Sequence, residues 1–206
     1  MNKVDWLWVK KEVLRHEHVR RPEIRKAVDQ AIADARRLVR PKALSAVRAA
    51  ETIKFKSRKF TLYLKRAGEA CLFLVTIGPL LEKRASGLMS SGEALEGYLL
   101  DKIGSLAAES LAENFEKGLR KKMAQKNRSV SRRFSPGYCD WPVEDQRELD
   151  RLLGFHKAGV KLTVSSMMAP RKSISGMLGI GGRGVYTKKG TPCSACDMKY
   201  CAYKIS

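Results

Sequence analysis

The sequence predicts an α+β fold, a mixed or antiparallel twisted sheet flanked by helices in a single domain. Three observations carry this. Apolar residues recur at helical spacing over 22–38 and 90–122, they alternate in the manner of strands over 52–65, 160–164 and 173–180, and Cys71 to Val75 is a continuous apolar run suited to a central strand. A chain of 206 residues, 44% hydrophobic and 30% charged, is long enough for one domain with a proper core. No apolar run approaches the roughly 20 residues that a membrane span needs. The opening Met1-Asn2-Lys3-Val4-Asp5-Trp6 lacks the apolar region of a signal peptide, so the expectation is a cytoplasmic protein with no membrane partner.

Taken in order, residues 5–15 predict a short helix with Trp6, Val9 and Val13 on one face. His16 and His18 flank Glu17, which reads either as a metal pair or as a solvated helix end. Pro22 suits the first position of a second helix, whose stripe is Ile24, Ala27, Val28, Ala31, Ile32, Ala35 and Leu38, closed by Pro41. Ile53, Phe55, Phe60, Leu62 and Leu64 predict strands over 52–65, with a turn at Ala67-Gly68-Glu69. Cys71 belongs to the central strand and reads as a core residue. Gly78-Pro79 starts a helix through about Arg84. Ser90 and Glu93 have capping-box spacing and open the longest helix, to about Lys122, with Leu95, Leu99, Ile103, Ala107, Leu111 and Phe115 as its buried stripe. Glu109 and Glu113, one turn apart, form either an acid–base pair or an exposed face.

Arg120, Lys121, Lys122, Lys126, Arg128, Arg132 and Arg133 put seven positive charges in fourteen residues, read as a solvated loop or docking patch. The net charge of +20 implies an acidic partner surface, a nucleic acid or an anionic membrane, and does not choose among them. Arg133-Phe134-Ser135-Pro136-Gly137-Tyr138 then places an arginine fork, a tight Pro-Gly turn and an aromatic hydroxyl side by side. That combination suits either a plain structural turn or the grip on a small polar ligand, such as an amino acid or nucleoside. Pro142 begins a helix to about Leu153. Val160, Leu162 and Val164 predict a strand, Met167 to Pro170 an apolar corner, and Ser173 to Ile180 a further strand. Gly179, Gly181, Gly182 and Gly184 predict a flexible loop, with Tyr186 as a lid residue. Five cysteines exclude a complete disulfide set, and Cys193, Cys196 and Cys201 have chelating spacing with Cys139 as candidate fourth ligand. Spacing leaves iron–sulfur and zinc both open. A basic nucleic-acid-binding module with a zinc-bound tail is the alternative class.

The RFSPGY stretch, the Cys139-Asp140-Trp141-Pro142 that follows, and KLTVSSMMAPRKSISGMLGI over 161–180 resemble the activation domain of vitamin B12-dependent methionine synthase. The resemblance is closest to short stand-alone activation proteins that end in a cysteine cluster. It covers 131–201 specifically, 74–115 more loosely and the first 50 residues weakly. It implies an activation-domain-like unit over 1–190 and a Cys-rich tail over 191–206. It also implies S-adenosylmethionine as ligand, with Arg133 on the methionine carboxylate, backbone groups near Ser135 and Gly137 on polar atoms, and Tyr138 packed alongside. The partner would be a cobalamin-dependent methionine synthase or another corrinoid protein, whose cobalamin is remethylated reductively. The cysteine cluster would then be iron–sulfur, or alternatively zinc, with a reductase or ferredoxin as electron donor. Two positions depart from the family: Val164 stands where it has a glutamate, and its acidic residue near the beginning, which contacts the ligand amino group, is matched only by Asp5 before a tryptophan.

Overall fold

The computed structural model describes residues 3–16, 21–57, 61, 64, 67–138 and 140–186. In chain order these form α1 (Trp6–His16), α2 (Pro22–Leu38), β1 (Lys42–Ala49), β2 (Glu69–Thr76), α3 (Leu80–Ser90), α4 (Ala94–Ala124), β3 (Arg128–Phe134), α5 (Gln146–Leu153), the short β4 (Lys161–Leu162) and β5 (Met168–Ala169), and β6 (Ser173–Gly182). Four strands make one antiparallel sheet in the order β1-β2-β6-β3, and β4 pairs with β5 as a separate hairpin. The α+β expectation holds.

The sheet separates two cores. On one face β2 presents Cys71, Phe73 and Val75, and β6 presents Leu178 and Ile180, to the layer of α1, α2, α3 and α4. On the other, Leu72, Leu74, Met177 and Phe134 meet Phe55, Leu64, Trp141, Leu149 and Phe155. A strand covered on both faces has no need of alternation, which is why the apolar run of β2 is continuous. Cys71 is a core residue as expected: burial pushes its thiol up to about 11, so it stays protonated at neutral pH.

Several boundaries differ from the sequence reading. No strand occupies the described part of 52–65. Ala50–Thr52 is a 3₁₀ turn, Ile53 and Phe55 are buried in irregular chain, and Thr61 and Leu64 are helical; Phe60 and Leu62 lie outside the described residues. The strand comes earlier, as β1. It is an edge strand with one neighbour, so its faces are only part-covered and its composition, Lys-Ala-Leu-Ser-Ala-Val-Arg-Ala, carries little apolar alternation. α3 runs to Ser90, six residues beyond the expected end at Arg84. Ser90 therefore closes one helix instead of capping the next. Glu93 is the cap residue of α4 without a side-chain cap bond, and the hydroxyl that reaches Glu93 Oε1, at 3.1 Å, is that of Ser91. Leu95 is 46% exposed, while the rest of its expected stripe is buried.

The basic loop expected after α4 is largely a strand, β3, paired with β6. The helix expected from Pro142 opens as a 3₁₀ turn, Val143–Asp145, before α5. The strand expected over 160–164 stops at Leu162, because the chain reverses over Thr163 to Ser166. Gly179, Gly181 and Gly182 belong to β6, leaving only Gly184 in the turn beyond it, at φ 81°. No helix among the described residues is long and apolar enough to cross a membrane.

Candidate functional site

The site is built where β3 ends. The register of β3 against β6 shifts between Val130 and Arg133, a bulge that re-aims the residues after it. Within the shift, Ser131 Oγ accepts the backbone N–H of Gly179 at 2.8 Å. Arg133 then lies opposite Leu178 and so points to the helical face, while Phe134 lies opposite Met177 and points into the other core. Beyond Phe134 the chain makes the expected tight turn. Tyr138 N donates to Ser135 O at 3.2 Å around Pro136, and Gly137 takes φ 95°, the positive value that favours glycine at the third turn position. Gly137 N donates to Trp141 O at 2.7 Å, and Trp141 N to Tyr138 O at 2.9 Å, so the turn is closed twice. Tyr138 stands 39% exposed at its rim. Arg133, Ser135, Gly137 and Tyr138 are thereby brought together by local geometry.

Beneath the turn is a pedestal that the sequence reading missed. Buried Trp141 donates Nε1–H to Asp145 Oδ2 at 3.0 Å and packs on Phe55, with ring centroids 4.6 Å apart. The same carboxylate oxygen accepts Lys56 N–H at 2.8 Å. Asp145, 4% exposed, thus ties the turn to a segment far away in sequence. The i, i+4 spacing of Trp141 and Asp145 across Pro142 is the available signal.

β6 lies flush against the same turn. A Cβ at Gly176 would fall 2.0 Å from Phe134 O and 3.0 Å from Ser135 Oγ. Only a glycine lets the Ser173-Ile174-Ser175-Gly176 element meet the end of β3 this closely. Ser175 Oγ donates to Gln146 Oε1, joining β6 to α5. Arg147 of α5 donates to Val164 O, in the loop between β4 and β5, at 2.7 Å, while the Val164 side chain is 97% exposed. Tyr186 lies over Gly179, where a Cβ would meet its hydroxyl at 2.1 Å, and its N–H donates to Ser129 Oγ at 3.2 Å. It therefore covers the last strand and is packed at the turn beyond it.

Arg133 is held from the helical side. It pairs with Glu109, and its Nε lies 3.5 Å from Glu116 Oε2. Glu116 is itself held by Arg120 at 3.0 and 2.7 Å, and Arg120 donates onward to Val130 O and Ser131 O, the latter at 2.6 Å. Charge-assisted hydrogen bonds thus run from the backbone of β3 through Arg120 to Glu116, and an ion pair carries the connection on to Arg133. Burial lowers the Arg133 pKa, and Tyr138 opposes that shift. Glu109 and Glu113 take different partners: Glu109 pairs with Arg133, and Glu113 with Lys117 at 3.0 Å. Asp5 comes to the same helix: its N–H donates to Ser110 Oγ at 2.8 Å, and its carboxylate accepts Trp8 N–H at 3.0 Å as the cap of α1.

Among the described residues no group of three or more His, Cys, Asp or Glu side chains is arranged to hold a metal. Cys139, Cys193, Cys196 and Cys201 lie outside them, as do Glu17 and His18. His16 sits at the exposed end of α1, 3.4 Å from Glu12.

A family model described as "Vitamin B12 dependent methionine synthase, activation domain" matches residues 63–188, more than half of the chain. The chain belongs to this activation-domain family. The match takes in β2, the long helix, the RFSPGY turn and β6, and leaves α1, α2 and β1 ahead of it. Among solved structures, the crystal structure of the MetH reactivation domain bound to AdoHcy has a similar fold. The two are 16% identical, the similarity covers 86% of this chain and 74% of that one, and the TM-score is 0.56. At that identity the likeness is one of fold. No curated protein matches the chain. Membership of the family carries a cobalamin-dependent methionine synthase context and a role in its reactivation.

Proposed function

We propose that this activation-domain protein binds S-adenosylmethionine at the RFSPGY turn and serves as a separate activating subunit. Its partner is a cobalamin-dependent methionine synthase or a related corrinoid protein, whose cobalamin it returns to the methylated state. The observation that carries the reading is the junction of two motifs: Gly176 of the Ser-Ile-Ser-Gly element against the backbone of Phe134 and Ser135, directly beside the Arg133 fork. A guanidinium of this kind suits the carboxylate of the methionine moiety. The turn's own hydrogen bonds use Ser135 O and Gly137 N–H, which leaves Ser135 N–H and Gly137 C=O to meet polar atoms of the ligand, and Tyr138 offers a half-exposed ring and hydroxyl. The solved fold relative was crystallised with AdoHcy, a ligand of the same class. When bound, S-adenosylmethionine supplies the methyl group; the chain's part is to bind and orient it over the partner.

The electron needed for reactivation comes, in this reading, from a reductase or ferredoxin, with the cysteines as relay. Cys139 lies between Tyr138 and Asp140, so a metal held by Cys193, Cys196, Cys201 and Cys139 would join the tail to the ligand turn. Metal analysis of anaerobically purified protein separates the iron–sulfur form from the zinc form, and a preparation with neither removes the relay.

The deciding experiment is calorimetric titration of S-adenosylmethionine into the full chain. Saturable binding, weakened about 10- to 100-fold in Arg133→Ala as expected for loss of a charged hydrogen-bond partner, supports the reading. A folded protein that binds no ligand refutes it.

A further inference from the structure

β3 ends with two adjacent arginines, Arg132 and Arg133, and the strand's register decides which of them faces the helical layer. We infer that the hydroxyl of Ser131 makes that choice: it locks the bulge in β3 that turns Arg133 toward the ligand, and so is a positioning residue for binding. This role deepens the proposed function and rests on its assignment of Arg133 to the ligand carboxylate.

Val130 lies opposite Ile180 and Arg133 opposite Leu178, so β3 uses one residue more than β6 between these pairs. Val130, Leu178 and Ile180 belong to the helical core, and Met177 to the other. Were the pairing to continue unshifted from Val130, Arg132 would fall opposite Leu178 and Arg133 opposite Met177, on the face of buried Trp141 and Leu72. Phe134 would then leave the second core for the helical side. The one extra residue reverses both outcomes.

A bulge also leaves ladder groups without their strand partners, and each needs a substitute. Ser131 supplies two. Its Oγ accepts Gly179 N–H at 2.8 Å and donates to Arg132 O at 2.6 Å, so one hydroxyl fills the gap from both sides. Its own carbonyl accepts Arg120 at 2.6 Å. Ser131 is 2% exposed, out of reach of water that could replace these bonds. An alanine here would leave Gly179 N–H and Arg132 O without the hydroxyl and loosen the register immediately before Arg133.

The test is a double-mutant cycle read by titrating AdoHcy into the full chain. Ser131→Ala is expected to weaken binding about tenfold. Arg133→Ala is expected to weaken it about 10- to 100-fold in the wild-type background and much less in the Ser131→Ala background, because a guanidinium that is no longer aimed has little left to lose. A serine that serves stability alone would leave the two costs independent. Ser129→Ala is the control. That hydroxyl also joins β3 to β6, donating to Gly182 O at 2.6 Å, but it lies ahead of the bulge. Ser129→Ala is expected to bind within about twofold of wild type. Wild-type affinity in Ser131→Ala, additive costs in the cycle, or equal losses in Ser129→Ala and Ser131→Ala each overturn the inference. Should Ser131→Ala not fold, Ser131→Cys carries the same cycle. Its thiol is a weak donor and acceptor in a side chain of similar shape, so affinity should fall several-fold, and wild-type affinity overturns the inference. Absence of AdoHcy binding by wild type, or binding that Arg133→Ala leaves untouched, fails the proposed function itself, which is a different result from binding that needs Arg133 and ignores Ser131.

Discussion

At the scale of single residues, Gly176 is the most constrained position near the site. Its missing side chain is the space into which Phe134 O fits, and the atom a Cβ would strike is backbone, which cannot rotate away. Gly176→Ala should therefore push β3 from β6 at the point where the RFSPGY turn begins. The expected cost is about 1–3 kcal/mol of stability, read from the denaturation midpoint, with a loss of AdoHcy affinity larger than the loss of stability predicts. Gly179→Ala is the comparison: there a Cβ meets the hydroxyl end of Tyr186, a side chain that can swing, and the ligand turn is not disturbed. Equal affinity in wild type and Gly176→Ala would mean that the junction is structural only. Arg133 shows what a sequence can and cannot convey at this scale. Residue type and turn chemistry mark it as a fork beside a Pro-Gly turn, but nothing local announces Glu109 and Glu116, which arrive from α4.

At the scale of elements, the long-period patterns were legible and the edges were not. α2 and α4 declare themselves by an apolar stripe on one face, and β2 and β6 by runs that are buried on both faces. β1 is a strand because β2 offers it a free edge, a tertiary reason that Lys42–Ala49 does not encode in alternation. β3 looks like a charged loop because its arginines are satisfied by partners distant in sequence: Arg128 by Glu69, and Arg133 by Glu109 and Glu116. The same kind of distant contact holds the segment after β1 in place. Asp145, at the start of α5, accepts both Trp141 Nε1–H and Lys56 N–H. Asp145→Ala leaves the buried Trp141 Nε1–H and the part-buried Lys56 N–H without an acceptor and should cost about 2–4 kcal/mol, visible in thermal or denaturant unfolding. Because Trp141 closes the ligand turn through its backbone, the surviving folded fraction should also bind AdoHcy more weakly. Wild-type stability in this variant would show that the pedestal bears no weight.

At the scale of the whole molecule, the charge is the unexplained excess, and its distribution says where to look. Residues 1–62, ahead of the family match, carry 17 Lys+Arg against 7 Asp+Glu, half of the net +20. On α2, Arg25, Lys26, Arg36 and Arg37 are exposed, and the apolar stripe is spent on packing against the rest of the helical layer. Charge so placed contributes little to stability, since isolated surface charges are screened and solvated. Its physical consequence is attraction of an acidic partner, with association fast at low salt and falling as salt rises. Replacing Arg25, Lys26 and Arg37 together by Glu should leave the unfolding temperature and AdoHcy affinity near wild type. Association with the cobalamin-dependent partner at low salt should slow about tenfold or more, with a flatter salt dependence. The separation of the two readouts is what makes the measurement decisive. Slowed association with unchanged ligand affinity assigns the basic helix to docking and the RFSPGY turn to the ligand. Unchanged association removes the docking role. Binding of random oligonucleotides at physiological salt, with a steep salt slope that the triple substitution flattens, would assign the same surface to nucleic acid.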